Sequence, residues 1–227
     1  LTWPLDHEVA EQRLPSARAV GAKHVQSQKL KSPLHRVTQL LLAFNAHNSS
    51  GKPWLLGDDL EATLAMHPMA APTVFNFYKP GFAPHGDLQG MGLKAPEFQL
   101  HTSATSVAYV SLAYQWFMEG DLPLVSTQIG QGDEQRMVME MYPPTLRRRY
   151  GDVLRFDFKD EIEMAKDQGQ HDALIDRMSV LLTGHVDPDL KARTQAACIP
   201  MRDRPERLVQ TIGFMIAVSP EFTVQEA

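Results

Sequence analysis

The stretch "LIDRMSVLLTGHVDPDLKARTQAACIPMRDRPERLVQTIGFMIAVSP", residues 174–220, decides the fold class. Leu174, Met178, Leu181 and Leu182 recur at helical spacing and stop at Gly184, the residue type that closes helices in a left-handed conformation. Asp187-Pro188 then opens a second helix, with a side-chain acceptor at the cap and a proline where no backbone donor is needed. Leu208, Ile212, Met215 and Ile216 mark a third, stopped at Pro220. Three amphipathic segments separated only by Gly and Pro breaks predict helices packed on helices.

The same pattern continues upstream. Ser32-Pro33 starts a helix with Leu34, Val37, Leu41 and Phe44 on one face, ending between Asn45 and Ser50. Asp58 and Glu61 have capping-box spacing, and Leu60, Leu64 and Met66 give that helix a short apolar side before Pro68. Thr102 or Ser103 caps a longer helix in which Val107, Val110, Tyr114 and Phe117 form the predicted buried face, up to Gly120. A further short helix is expected from Asp133, with Met137 and Met141 four apart and Pro143-Pro144 closing it. Residues 155–170 are polar, and read as a helix charged on most faces. No Asn-Gly or Asp-Gly hairpin turn and no alternating β-branched run is present. The expected fold is all-α, an irregular helical bundle. Residues 1–31 form an irregular N-terminal arm, and residues 32–227 a single helical domain.

One segment breaks the pattern. "PTVFNFYKPGFAPHGDLQGMGLKAPEFQ", residues 72–99, is too rich in Pro and Gly for either regular structure, yet carries Phe75, Phe77, Tyr78, Phe82 and Phe98. A structureless run of this length in a compact domain is usually disordered or functional. Burial of a large ring contributes roughly 1.5–3 kcal/mol, so the expectation is an ordered crossing loop fastened across the bundle by its aromatics. Its "APEFQ" (95–99) is echoed by "SPEFTVQ" at 219–225, too briefly for a repeat architecture.

The 227 residues are 43% hydrophobic and 22% charged, with a formal charge of −5. That composition is globular, and the acidic balance argues against general nucleic-acid binding, which requires a basic face. The run Arg147-Arg148-Arg149 is too short to reverse this and reads as a solvated helix end or a partner salt bridge. No apolar run is long enough to span a bilayer. The chain begins at Leu1, which points to a processed product or a piece of a longer protein.

Chemical signatures are sparse. Nine histidines are spread without HExxH or close pairing, so no metal and no cofactor is expected. The single cysteine, Cys198, has no neighbouring charge to activate it and reads as a buried inert thiol. Gly86, Gly90 and Gly92 are wrongly spaced for a phosphate loop and read as turn formers. Asp58-Asp59 and Asp133-Glu134 are explained by the helix dipole. The Asn48–Ser50 triplet matches a glycosylation sequon and is discounted. Glu97 is the one catalytic candidate, because burial among aromatics would raise its pKa. The preferred alternative is a glutamate hydrogen-bonded to loop amides.

These residues also support a resemblance. "APTVFNFYKPGFAPHGDLQGMGLKAPEFQL", with "LKSPLHRVTQLLLAFNA" before it and "RPERLVQTIGFMIAVSPEFTVQ" after it, resembles the C-terminal part of the bacterial family called domain of unknown function 1800. The likeness covers roughly 27–118 and 171–225, and its motif positions are Phe75, Asn76, Phe77, Tyr78, Pro80, Gly81, Pro96, Glu97 and Phe98. It implies an exported, periplasmic or secreted, mainly helical protein about twice this length, whose partners are its own N-terminal half and an alkaline-phosphatase-like protein (domain of unknown function 1501). The family has no established activity, so the resemblance supplies no catalytic residue. Two roles are expected from the sequence. The first is a noncatalytic scaffold or binding module of the bacterial cell envelope. The alternative is a hydrolase-like enzyme acting on an extracellular polymer or small polar substrate, with Glu97 and Asn76 in its site beside a neighbouring histidine.

Overall fold

The computed structural model describes residues 28–47, 57–66, 68–74, 76–119 and 155–226, and the statements below concern those residues. They form an all-α bundle with one two-stranded ribbon. In chain order the elements are β1 (Gln28–Leu30), α1 (Pro33–Ala43), α2 (Gly57–Leu64), α3 (Asp87–Gly90), a 3-10 turn (Pro96–Gln99), α4 (Ser103–Tyr114), a π-helical turn (Gln115–Glu119), α5 (Lys159–Ala165), α6 (His171–Thr183), α7 (Pro188–Cys198), α8 (Pro205–Ala217), α9 (Pro220–Thr223) and β2 (Val224–Glu226). The helix expected from Asp133, the sequon and the triple arginine lie outside the described residues.

The caps follow from local chemistry. Ser32 accepts from the His35 amide, Thr102 from Thr105, Asp187 from Leu190 and Ser219 from Phe222. Pro33, Pro188 and Pro220 begin their helices, where a missing N–H costs nothing. Gly184 ends α6 at φ +85°, and its amide donates to the Val180 carbonyl.

Helix α8 is the hub, packing against α4, α5, α6, α7, α9 and the π turn. It buries Leu208, Val209, Ile212, Gly213, Ile216 and Ala217, a wider face than the expected stripe, whose Met215 is only half-buried. On α6 the buried face is Leu174, Ile175, Met178, Ser179 and Leu182, while Leu181, expected inside, is exposed. Phe44, Trp116, Phe117, Phe156 and Phe158 form an aromatic cluster with ring centroids 5.0–6.2 Å apart. Phe156 and Phe158 come from the segment read as polar on most faces.

Three expectations are corrected. Val107, Val110 and Tyr114 do not face the core: Val107 is 68% exposed, and α4 buries Tyr109 and Ala113 instead. Tyr109, Ala113, Trp116 and Phe117 follow one another at i, i+4, i+7 and i+8, a single helical face, and the expected stripe lies on the arc beside it with Phe117 at the border of both. Second, Gln28–Leu30, read as the end of an irregular arm, pairs antiparallel with Val224–Glu226 in the register Gln28 to Glu226, Lys29 to Gln225 and Leu30 to Val224. Third, the crossing loop is not pinned by buried rings. Phe77, Tyr78, Phe82 and Phe98 are only half-buried and lie outside the aromatic cluster, and Phe75 lies outside the described residues.

Hydrogen bonds order the loop instead. The Ala95 amide donates to the Phe82 carbonyl (2.9 Å) and the Leu93 amide to Leu88 (2.9 Å). The Lys79 amide donates to Gln99 Oε1 (2.9 Å), tying the start of the loop to its end. Two side chains at the C-terminal end are buried, Glu97 and Leu100.

Candidate functional site

The motif residues divide in space. Asn76 is exposed in a left-handed conformation (φ +76°), which asparagine tolerates because its short polar side chain bonds locally. Its Oδ1 accepts from the Phe77 amide at 2.9 Å. Pro80 and Gly81 are the exposed centre of a turn closed by the Phe82 amide donating to the Lys79 carbonyl. Pro96 begins the 3-10 turn, Glu97 points inward from it, and Phe98 meets His101 edge-on at 5.9 Å. The geometry therefore separates Asn76 from Glu97 in role: one makes a surface turn, the other is buried.

Glu97 is 6% exposed, and its Oε1 is 3.1 Å from Lys29 Nζ on β1. This contact of Glu97 is an ion pair to a neighbouring element. The hydrogen bond and charge of Glu97 raise the Lys29 pKa, with a smaller push from Tyr78. The pair anchors the end of the crossing loop to the ribbon.

Lys29 lies on β1, and Lys31 follows directly after the strand. Each meets a Pro-Glu-Phe turn: Lys29 pairs with Glu97 of the first, and Lys31 Nζ lies 4.5 Å from the ring centroid of Phe222 in the second. The short echo between 95–99 and 219–225 thus has a structural counterpart, two single turns each met by a lysine of the segment 29–31.

Behind this ribbon lies a cationic cluster that the sequence reading missed. Arg36 is 2% exposed, its guanidinium stacks over Tyr109 at 4.2 Å, and its Nε has no hydrogen-bond partner. Burial is the main cause lowering the pKa of Arg36, Lys31, His35 and His101. Mutual repulsion adds to it, Arg36 acting on Lys31 and His101, and Lys31 and Lys29 on His35. Tyr109 is buried, its hydroxyl donates to the Ala217 carbonyl (2.9 Å), and burial pushes its pKa up. The first turn of α1 holds no acid to offset these charges, although a helix N-terminus favours anions. A signal for the cluster was legible: residues 28–47 contain Lys29, Lys31, His35, Arg36 and His47 but no Asp or Glu.

The other expected chemistry is dispersed. Among the described residues no three His, Cys, Asp or Glu side chains are grouped to hold a metal ion. No helix among them is long and apolar enough to cross a membrane. Cys198 is buried at the end of α7, and burial pushes its thiol up to about 11, with Arg202 offsetting this slightly. At pH 8 about one thiol in a thousand is then ionised, and only the thiolate reacts. The native protein is expected to stay unlabelled by a thiol-specific disulfide reagent that modifies the urea-unfolded chain within minutes; fast native labelling would contradict the burial. Compared with known proteins, the chain matches no family model, no curated protein and no solved structure.

Proposed function

We propose that this chain is a noncatalytic helical binding module, the C-terminal part of an exported cell-envelope protein of the kind called domain of unknown function 1800. The observation that carries this reading is the outward stripe on α4. Val107, Val110 and Tyr114 are exposed at helical spacing. Val110 and Tyr114 border a depression of about 450 Å³ shared with Ser111, Gln115, Glu119 and Phe214 of α8. Tyr114 and Phe214 meet edge-on at 5.8 Å, so the floor is apolar and its rim polar, the anatomy of a protein interface.

The occupant assigned to this stripe is the N-terminal half of the longer chain that the motif resemblance implies, with an alkaline-phosphatase-like protein as the outer partner of the pair. The engagement of Glu97 by Lys29 favours this role over a hydrolase with Glu97 as its acid. The test expresses the longer chain as two pieces divided ahead of residue 1 and measures their association. Each buried apolar side chain contributes about 1.5–3 kcal/mol, and 1.4 kcal/mol is tenfold in affinity. Val110→Asp with Tyr114→Asp is therefore expected to weaken association about 100-fold or more, leaving the fold intact because both positions are exposed. Pieces that elute separately, or an affinity indifferent to both substitutions, would sink the proposal.

A further inference from the structure

A second concave feature lies between α1 and the C-terminal end of α6. It encloses about 400 Å³, within the size range of clefts that hold small molecules. Its lining has two characters, Lys31, His35 and Gln39 from the α1 side and Val180 and Leu181 from α6.

The α1 side is polar and carries one uncompensated charge. His35 and Gln39 are four apart and share a face of the helix. Lys31, just ahead of the helix, lays its side chain along that face: its Nζ donates to Gln39 Oε1 at 2.9 Å, reaching past His35. All three residues line the cleft, so the ammonium sits in its wall. Gln39 is held there because its Nε2 donates to the Leu182 carbonyl at 2.7 Å, which leaves Oε1 for Lys31. An ammonium has three N–H donors, and only this one bond uses any of them. The Phe222 ring lies 4.5 Å away, and no acid among the described residues pairs with Lys31, which is 6% exposed. Burial and the charge of Arg36 both push its pKa down. An anion beside it relieves both costs. Glu221, the carboxylate of the lining, is already engaged by Arg193.

The α6 side is apolar. Val180 and Leu181 are 51% and 41% exposed, and both border the cleft rather than the core that the rest of α6 fills. Val224 of β2 adds a third apolar side chain to the lining.

We infer that this cleft binds a short-chain monocarboxylic acid, its carboxylate on Lys31 and its hydrocarbon body against Val180 and Leu181. The charge count selects a monoanion. Lys29 is taken by Glu97, Arg36 stacks on Tyr109, and burial with the two lysines lowers the His35 pKa and keeps that ring neutral at pH 7. A phosphate dianion would therefore bring a second charge that no free cation meets. This site is separate from the α4 stripe and does not require the binding-module reading.

The probes are acetate, butyrate, butanol and inorganic phosphate, followed by calorimetry and by the chemical shifts of the His35 ring. Each buried methylene raises affinity up to about fourfold, so butyrate is expected to bind about tenfold tighter than acetate. Butanol, with the same chain and no charge, should bind at least about tenfold more weakly than butyrate, and phosphate should also bind more weakly. Lys31→Met should abolish carboxylate binding in a folded protein, because it exchanges a buried unpaired charge for an apolar side chain of similar length. Val180→Ser with Leu181→Ser, both at exposed positions, should leave acetate affinity unchanged and bring butyrate down to it. In the unsubstituted protein, absence of butyrate binding at millimolar concentrations, equal affinity for butyrate and butanol, or tighter binding of phosphate would each overturn the assignment. So would unchanged butyrate binding by folded Lys31→Met protein, or a chain-length preference that survives the double serine substitution.

Discussion

Phe117→Ala is expected to cost about 3–5 kcal/mol of folding stability, the largest effect of any single truncation argued for this protein. The side chain is fully buried, and its ring is surrounded by Phe44 at 5.7 Å, Phe156 at 5.1 Å and Phe158 at 6.1 Å. These rings come from the residue that ends α1 and from the segment leading into α5, which are held by separate elements, so they cannot collapse together into the vacated space. A cavity therefore remains, and its cost adds to the lost transfer free energy. Against a typical total of about 5–15 kcal/mol, such a loss lowers the midpoint of urea unfolding by about a fifth or more. A loss below about 1 kcal/mol would mean that the aromatic cluster does not hold the bundle together.

Gly213→Ala carries the second large expectation, and its sign is opposite to that of helix propensity. Alanine inside a helix is ordinarily favoured over glycine by about 1 kcal/mol. At Gly213 an added Cβ would lie 2.4 Å from Phe117 Cε1 and 2.7 Å from Cδ1, well inside contact distance. The ring cannot swing aside, because the aromatic cluster occupies its other faces. Overpacking of this kind costs about 1–3 kcal/mol, so the substitution is expected to destabilise despite the better helix former. Combining it with Phe117→Leu supplies the diagnosis. The smaller side chain removes the collision, so the double variant should be more stable than the sum of the two single losses predicts. Strict additivity, or a stabilised Gly213→Ala protein, would show that the close approach of α8 to the π turn is not as described.

These two positions also explain why the face of α4 was misread. At regular spacing Phe117 belongs with Val107, Val110 and Tyr114, and all four were expected inside. Phe117 is equally in step with Tyr109 and Ala113, four residues apart, and that is the face which is buried, with Gly213 on α8 leaving room for the Phe117 ring. Nothing in the local residues of 103–119 chooses between the two adjoining faces; the packing of α8 against this segment does. The stripe left outside then becomes the surface to which the proposed partner is assigned.

The site shows the same division. Glu97 was legible as the unusual residue of the crossing loop, but its partner Lys29 is 68 residues away in sequence and in an element too short to have a pattern. Arg36 occupies a position of α1 flanked by Pro33, Val37 and Leu40, all buried, and so sits on the apolar face where the hydrophobic pattern alone leaves an arginine unexplained. Its setting emerges only with the Tyr109 ring against its guanidinium and, among the described residues, no acid paired with it.

What the sequence by itself determined is the helical class and several helix ends: Ser32-Pro33, Thr102, Asp187-Pro188 and Gly184 act through backbone groups within four residues, so their effect is complete in the local chain. What only the tertiary structure decided is which faces meet. The pairing of 28–30 with 224–226, the outward turn of Val110 and Tyr114, the replacement of aromatic pins by hydrogen bonds in the crossing loop, and the unpaired charges of Lys31 and Arg36 all depend on groups distant in sequence. Such contacts are chosen by the mutual fit of whole elements, and a periodicity records only that a face is apolar, not what it will lie against.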